Sequence, residues 1–512
     1  MSNFDKLHEL VHSLSLSERR YFKRFAARAD SDVKQQYVLL FDTIAQMTTH
    51  DEVILTKKLE KLNVSTTYLA ADKYYLYGVV LKTLRSYHEG RSARLRVREY
   101  LADVEILFAK GLIPHCLQIL KKARQYAEKL ELLSALIDIE VWQRKIEGYA
   151  YGQGDFEKKF IETSLILNKI NNLNDYNLLY YRISDIQQRE WKARHHELSK
   201  KIATFMAQPL LRSPDEALTL AAKIRFYEIK AKCCFVINDV AGEYASNAEI
   251  QKLIAQEEGF MEQYPFEYVA LYSRYMALVK QVSPKQFYEI LRQFREIPQK
   301  MVWYKTEISA HVFILSYSSE LSWLIQQKQF DLALQKMPET ERLFQQYAPL
   351  LLNKLKIATQ YMMAYIYFVN KQFDQALTGI NKILNEYDES DRPDIYSVTR
   401  LLNLVLHYEM KNYRSIIYET NNTYLFFKKR NKLFESEKII LHFLKKVQTI
   451  KTNENLRETF IKLRHKLSLI CEDEYERRLL NYFDFITWLD AKIAQKDLLE
   501  VMKKKQNLGS LS

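Results

Sequence analysis

Apolar residues recur along this chain at intervals of three and four, and short polar turns interrupt them at a nearly constant distance. A bulky apolar residue follows such a turn at Val240, Phe287, Phe330, Phe373 and Tyr413, in steps of 47, 43, 43 and 40 residues. A period of this length with no strand-like alternation predicts stacked helical hairpins, each too thin to bury its own apolar face. Upstream, Ile113 and Phe156 lie 43 residues apart. The 84 residues from Phe156 to Val240 fit two steps of 42, with a degenerate unit centred near Leu198. Residues 1–89 lack the period and predict four or five helices, over Phe4–His12, Ser17–Ala29, Asp32–Gln46, Asp51–Leu62 and Thr67–His88. Ser15 and Glu18 have the spacing of a capping box for the second of these.

The clearest unit runs from Tyr361 to Leu384. Ala364 and Ala376 stand where two helices would cross closely, Met363 and Tyr367 supply bulk on the first helix, Phe373 follows the turn, and Ile380 and Ile383 continue the core. This pattern resembles a tetratricopeptide repeat, although the turn carries Lys371-Gln372 where that family often has Gly-Asp. A second match has Val104 and Leu107, the Lys110-Gly111 turn, then Ile113, Cys116, Leu120, Ala123 and Ala127. Around Tyr413, Ile416 replaces the small residue, which predicts a wider helix spacing there. The resemblance covers roughly residues 99–430, and its steps exceed the usual 34 of the family, so longer helices are expected. It implies an all-α, right-handed α-α superhelix whose concave surface, lined by first helices, holds a peptide or partner helix. In the strongest unit Tyr361, Tyr365 and Asn370 are then candidates to face the groove, whereas Ala364, Phe373 and Ala376 belong to the core. The expected organisation is a helical N-terminal module (1–89), a basic linker (90–98), the repeats (99–430) and C-terminal capping helices with a tail (431–512), Arg477–Ala491 forming the cap.

Composition supports helices. Ten Gly and nine Pro in 512 residues compare with about 36 and 26 in an average chain of this length, so loops are short and Gly-rich sheet folds are disfavoured. The net charge of +13 comes from 76 Lys and Arg against 63 Asp and Glu, a balance typical of solvated helix faces. One cluster stands out: Arg20, Lys23, Arg24 and Arg28 gather on one side of a predicted helix, opposite Phe22, Phe25, Ala26 and Ala29. Such a stripe suits phosphates. With Arg91, Arg94, Arg96 and Arg98 it defines the alternative reading, a regulatory or nucleic-acid-binding protein with the repeats as a sensing or dimerisation region. No short Gly-containing turn with a polar recognition helix accompanies it in residues 1–89. A further basic run, Lys428, Lys429, Arg430 and Lys432, reads equally as cations at a helix C-terminus.

Four scattered cysteines, Cys116, Cys233, Cys234 and Cys471, form no framework and predict buried thiols in a reducing compartment. The N-terminus lacks a basic region followed by an apolar core, and no apolar run is long enough to span a membrane, so a cytoplasmic location is expected. His8-Glu9-Leu10-Val11-His12 spells a zinc-protease spacing without a third ligand nearby, and His195 and His196 diverge by ~100° on a helix. Gly148, Gly152 and Gly154 follow a helix, with no Lys-Ser/Thr pair after them. No catalytic constellation emerges. The expectation is a non-enzymatic scaffold without cofactor or metal, whose partner is a protein or peptide.

Overall fold

The computed structural model describes residues 3–27, 32–47, 51–90, 93–151, 156–190, 196–257, 259–301, 304–429, 434–447, 450 and 452–509. Every regular element among them is a helix, α or 3₁₀. Two compact units divide the chain, Met1–Leu278 and Val279–Ser512. None of the described helices is long and apolar enough to cross a membrane.

One turn geometry underlies the sequence period. Gly111, Glu131, Asn238, Lys328, Lys371 and Lys411 all adopt a left-handed backbone, with φ between 46° and 74°. Two residues after each, a helix begins: at Ile113, Leu133, Val240, Phe330, Phe373 and Tyr413. In the Lys371 turn the amide of Lys371 donates to the Phe368 carbonyl at 3.0 Å and that of Gln372 to the Tyr367 carbonyl at 2.9 Å. The same pair of bonds recurs in the other five. This is the Schellman closure, which satisfies the orphan carbonyls of the finished helix and re-aims the chain into the next. The bulky residue after the turn is therefore the first residue of each second helix.

Glycine usually fills this left-handed position, because a side chain there costs roughly 1–2 kcal/mol. Only Gly111 obeys. Glu131 has other work: its carboxylate accepts the Leu220 amide at 2.8 Å, at the start of the Leu220–Val236 helix. Lys328 and Lys371 also reach acidic partners. Lys411 is exposed at its turn. Lys411→Gly is accordingly expected to stabilise the protein by about 0.5–1 kcal/mol, raising the unfolding midpoint by about 1–3 °C. The same change at Lys371 should gain less, since its pair with Asp497 is lost. Thermal denaturation of the two variants side by side checks this contrast.

In the first unit, the helices Asn3–Ser13, Leu16–Ala27, Asp32–Ala45, Glu52–Lys61 and Leu69–Tyr87 enclose a core of their own around Leu7, Phe22, Phe41 and Leu76. The capping box forms as spaced: the Ser15 amide donates to Glu18 Oε2 at 2.8 Å and the Glu18 amide to Ser15 Oγ at 3.3 Å. Next, the Ala93–Ala109, Ile113–Lys129 and Leu133–Tyr151 helices pack in succession over Cys116, Leu120, Ala123 and Ile139. Two expectations are corrected here. Residues 93–98, expected as linker, are the first turns of the Ala93 helix. The two even steps expected between Phe156 and Val240 are not found either: a single 35-residue helix, Phe156–Glu190, packs on the Leu133 helix and then on the Leu220 helix, and the short His196–Met206 helix around Leu198 shares its core. The long helix carries no Gly or Pro to break it.

In the second unit, a hairpin of Asn353–Val369 and Phe373–Glu386 leads to Pro393–Glu409, Tyr413–Lys429, Glu435–Val447 and Asn453–Ile470, each packed on the next. The two hairpin helices cross at Ala364 and Gly379, where a Cβ on Gly379 would sit 3.2 Å from that of Ala364. The helices after residue 431 share their core with those before them. Leu463, Phe483, Trp488 and Met502 join one continuous core with Leu321, Tyr361, Ile380 and Leu401. The stretch expected as the cap, Arg477–Ala491, runs from the end of a short helical turn, Glu474–Arg477, through a 3₁₀ turn, Arg478–Asn481, into the Phe485–Ala494 helix. Phe287 also falls out of the turn pattern, lying inside the Pro284–Lys300 helix after the Ser283-Pro284 start.

The first turn of the Glu435 helix carries a buried carboxyl. Burial, with the nearby Glu476 carboxylate, pushes Glu437 from 4.5 up to about 7, against a hydrogen bond from the Phe434 amide. A carboxyl raised on folding is bound to its proton more tightly in the native state, so the unit loses stability as pH climbs from about 4.5 through 7. The loss is on the order of 1–3 kcal/mol. Glu437→Gln is expected to flatten that slope, which denaturant titrations at pH 5 and pH 8 would register.

Candidate functional site

Tyr361, Tyr365 and Phe368 share one face of the Asn353 helix, at the four- and three-residue intervals that align side chains. That face is covered by the chain's own residues 479–505. Tyr361 donates its hydroxyl to the Tyr482 carbonyl at 3.3 Å, and its ring meets that of Tyr482 edge-on at 6.4 Å. Phe483, fully buried, inserts its ring between Tyr365 at 5.6 Å and Phe368 at 5.5 Å, with Phe485 stacked edge-on at 4.5 Å. Tyr361 and Tyr365 are each only 4 % exposed. Burial pushes both hydroxyls well above the usual tyrosine range. Asn370 turns the other way: its amide donates to the Phe330 and Ile366 carbonyls at 3.3 and 2.9 Å, tying one hairpin to the preceding one.

Further along, Trp488 lies edge-on to Tyr408 and Phe460, and its indole N–H donates to Glu409 at 2.7 Å. Lys492 holds the other oxygen of Glu409 at 2.5 Å. Charge pairs frame the aromatic contact. The turn lysines Lys328 and Lys371 meet Asp484 and Asp497 of the covering segment, and Lys503 reaches Asp331 at 2.5 Å. Tyr482 donates to Asp394 at 2.7 Å, and Arg392 grips the same carboxylate. Burial alone would raise the Asp394 carboxyl, but the hydrogen bonds from Arg392 and Tyr482 outweigh it and hold it at about 2.

A cavity of about 500 Å³ opens beside this contact, walled by Phe368, Tyr408, Phe460 and Trp488. Of the charged groups at its edge, Glu409 pairs with Lys492 and Asp497 with Lys371, Lys496 reaches Glu500 at 3.3 Å, and Arg457 donates to the Ile493 carbonyl at 3.2 Å. Aromatic anchors with a charged frame are the chemistry of holding a segment.

The basic stripe of the N-terminal helix is partly engaged. Lys23 pairs with Asp42 at 2.7 Å, Arg24 lies 6.0 Å over the Tyr21 ring, and Arg20 is exposed. Arg28 and Arg91 lie outside the described residues. Arg94 stacks over Tyr264, and Arg96 donates to the Gly90 carbonyl at 2.9 Å and to the Tyr126 hydroxyl at 3.1 Å. Those arginines brace helices. His8 and His12 stack on each other at 4.2 Å, and His12 Nε2 contacts the Ile44 carbonyl at 3.0 Å. Among the described residues no group of three or more His, Cys, Asp or Glu is placed to hold a metal; His195 lies outside them. Burial pushes the Cys233 thiol up to about 12, far from the thiolate a nucleophile needs.

The pairing of Tyr482 and Phe483 with the Asn353 helix escapes sequence reasoning because its partners lie 121 residues apart. The available signal was the run Tyr482-Phe483-Asp484-Phe485, whose aromatic density exceeds what one exposed cap requires. Fold and site together define an all-α, helical-repeat-like protein with a segment-covered face. Comparisons with protein-family models, curated proteins and solved structures give no match.

Proposed function

We propose that this chain is a non-enzymatic, tetratricopeptide-like scaffold that holds a peptide or partner helix, and that its C-terminal segment occupies the holding surface in cis. The observation that carries the reading is the seating of Phe483 between Tyr365 and Phe368, framed by the Lys328–Asp484 and Lys371–Asp497 pairs. A surface that binds one such segment has the anchors and the frame to bind another of like chemistry, aromatic at its centre and acidic at its flanks. The right-handed superhelical stacking implied by the repeat resemblance belongs to the same proposal, since the shared turn re-aims each helix in the same way.

The test severs the segment after folding. A cleavage site placed at the Glu472–Asp473 turn and cut in the native protein leaves a folded body from which residues 473–512 exchange. A labelled copy of that segment should then bind in trans, and a Phe483→Ala copy at least ~30-fold less. Failure of the labelled segment to bind, with the cut body still folded by circular dichroism, removes the reading.

A further inference from the structure

The Leu220–Val236 helix carries Arg225, Glu228 and Lys232 on one stripe, three and then four residues apart. Tyr180 and Gln187 of the Phe156–Glu190 helix meet that stripe, and Arg274 of the Pro265–Val282 helix reaches the same Glu228. All six residues belong to the Met1–Leu278 unit. Glu228 is 5 % exposed, and both its oxygens are taken: Arg225 donates to one at 2.6 Å and Arg274 to the other at 2.5 Å. Lys232 is left with a neutral partner, donating to the Gln187 amide oxygen at 2.8 Å, and among the described residues it has no carboxylate. Arg225 and Lys232 also share one ring, at 4.3 and 4.9 Å from the Tyr180 centroid. Three cations thus crowd one carboxylate and leave two positive charges uncompensated. The crowding registers on Lys232: burial and then Arg274 pull its amine below the usual lysine range, against the attraction of Glu228. Solvent still reaches the cluster, since the Arg225 and Arg274 side chains are 32 % and 46 % exposed.

We infer that Arg225, Lys232 and Arg274 bind a phosphate monoester. Near pH 7 such a group carries about two negative charges on three strong acceptor oxygens. It therefore matches both the charge left over and the number of cationic side chains that meet it. A carboxylate or a phosphodiester brings one charge and leaves the other uncompensated. Each arginine spends only its Nη1 on Glu228, so the rest of each guanidinium fork is available to phosphate oxygens. Glu228 holds the two guanidiniums together when no anion is present, and the Tyr180 ring keeps Lys232 beside Arg225. No residue of the covered face takes part, so this site stands independently of the proposal above.

Isothermal titration calorimetry of the full chain at fixed ionic strength tests it. The probes are inorganic phosphate, N-acetyl-phosphoserine amide and N-acetyl-aspartate amide. Both phosphate probes are expected to bind, and the aspartate probe at least about tenfold more weakly. Whichever phosphate probe binds tighter assigns the source, a free phosphate or a phosphorylated side chain. Lys232→Met removes one cation without touching the Glu228 pairs and should weaken phosphate binding at least about tenfold. Lys230→Met loses the same charge from the same helix, at an exposed position stacked on Phe226, and should change the affinity less than about twofold. If Lys232→Met perturbs the fold by circular dichroism, Arg274→Gln replaces it, with about fivefold weakening expected. No binding of either phosphate probe overturns the inference. So does equal binding of the aspartate probe, and so does equal weakening by Lys232→Met and Lys230→Met, which would make the effect one of net charge alone.

Discussion

Replacing Phe483 by alanine is expected to lower the unfolding free energy of the Val279–Ser512 unit by about 3–5 kcal/mol and to loosen residues 479–505. The ring is fully buried and touches aromatic neighbours on both sides, Tyr365 and Phe368 on the Asn353 helix and Phe485 on its own segment. Its removal opens a cavity that those rings cannot fill without leaving their edge-on geometry. The charged frame cannot compensate. Lys371 is 63 % exposed, and Lys503 and Asp331 are about half exposed, so these pairs contribute little each and fix register more than they add energy. Limited proteolysis should therefore cut Phe483→Ala within residues 479–505 under conditions in which the intact chain resists. Equal resistance, with an unfolding free energy within ~0.5 kcal/mol of the parent, would show that the contact contributes nothing.

The other large effect is expected at Glu320. This carboxylate, 3 % exposed on the Lys305–Gln326 helix, accepts from Arg295 at 2.6 Å and pairs with Lys336 at 3.3 Å. Arg295 also stacks 4.1 Å over the Tyr317 ring and donates to Ser316 at 3.3 Å. Three helical segments thus meet at one buried charge. Glu320→Ala leaves two cations facing an apolar gap, a change that costs about 3–5 kcal/mol when the orphaned charge is fully buried. Here Arg295 and Lys336 keep partial access to water, 28 % and 43 % exposed, which brings the expected loss to about 2–3 kcal/mol. Glu320→Ala/Arg295→Ala should lose less than the sum of the single changes, because each removes the same interaction. Denaturant unfolding of the four-protein cycle measures it, and additivity would contradict a shared network.

Much of the local architecture was legible because it is local. A bulky residue two positions after a left-handed turn residue leaves a mark in the sequence, and Ile113, Val240, Phe330, Phe373 and Tyr413 each begin a helix as that mark implies. The small residues Ala364 and Ala376 are buried as the close crossing requires. What escaped was long-range or non-periodic. Tyr361 and Tyr365 read as groove-facing because they stand on a first helix, and nothing in their neighbourhood announces that Phe483 packs on them. The long Phe156–Glu190 helix hid inside a spacing that fitted two ordinary units. Gly379, which lets the Asn353 and Phe373 helices approach, was overlooked because one glycine inside a helix looks like a weak point until its neighbour is known. Lysine at the turns departed from the repeat pattern for a reason visible only in three dimensions: at Lys328 and Lys371 its side chain reaches the acids of the covering segment.

That covering contact is most directly tested by native-state hydrogen exchange on the intact chain. Amides of the Phe485–Ala494 helix and of the Asn353 helix should be protected together, and Phe483→Ala should release the first while the second remains largely protected. Exchange of Phe485–Ala494 at the rate of an unstructured chain in the intact protein would contradict the account.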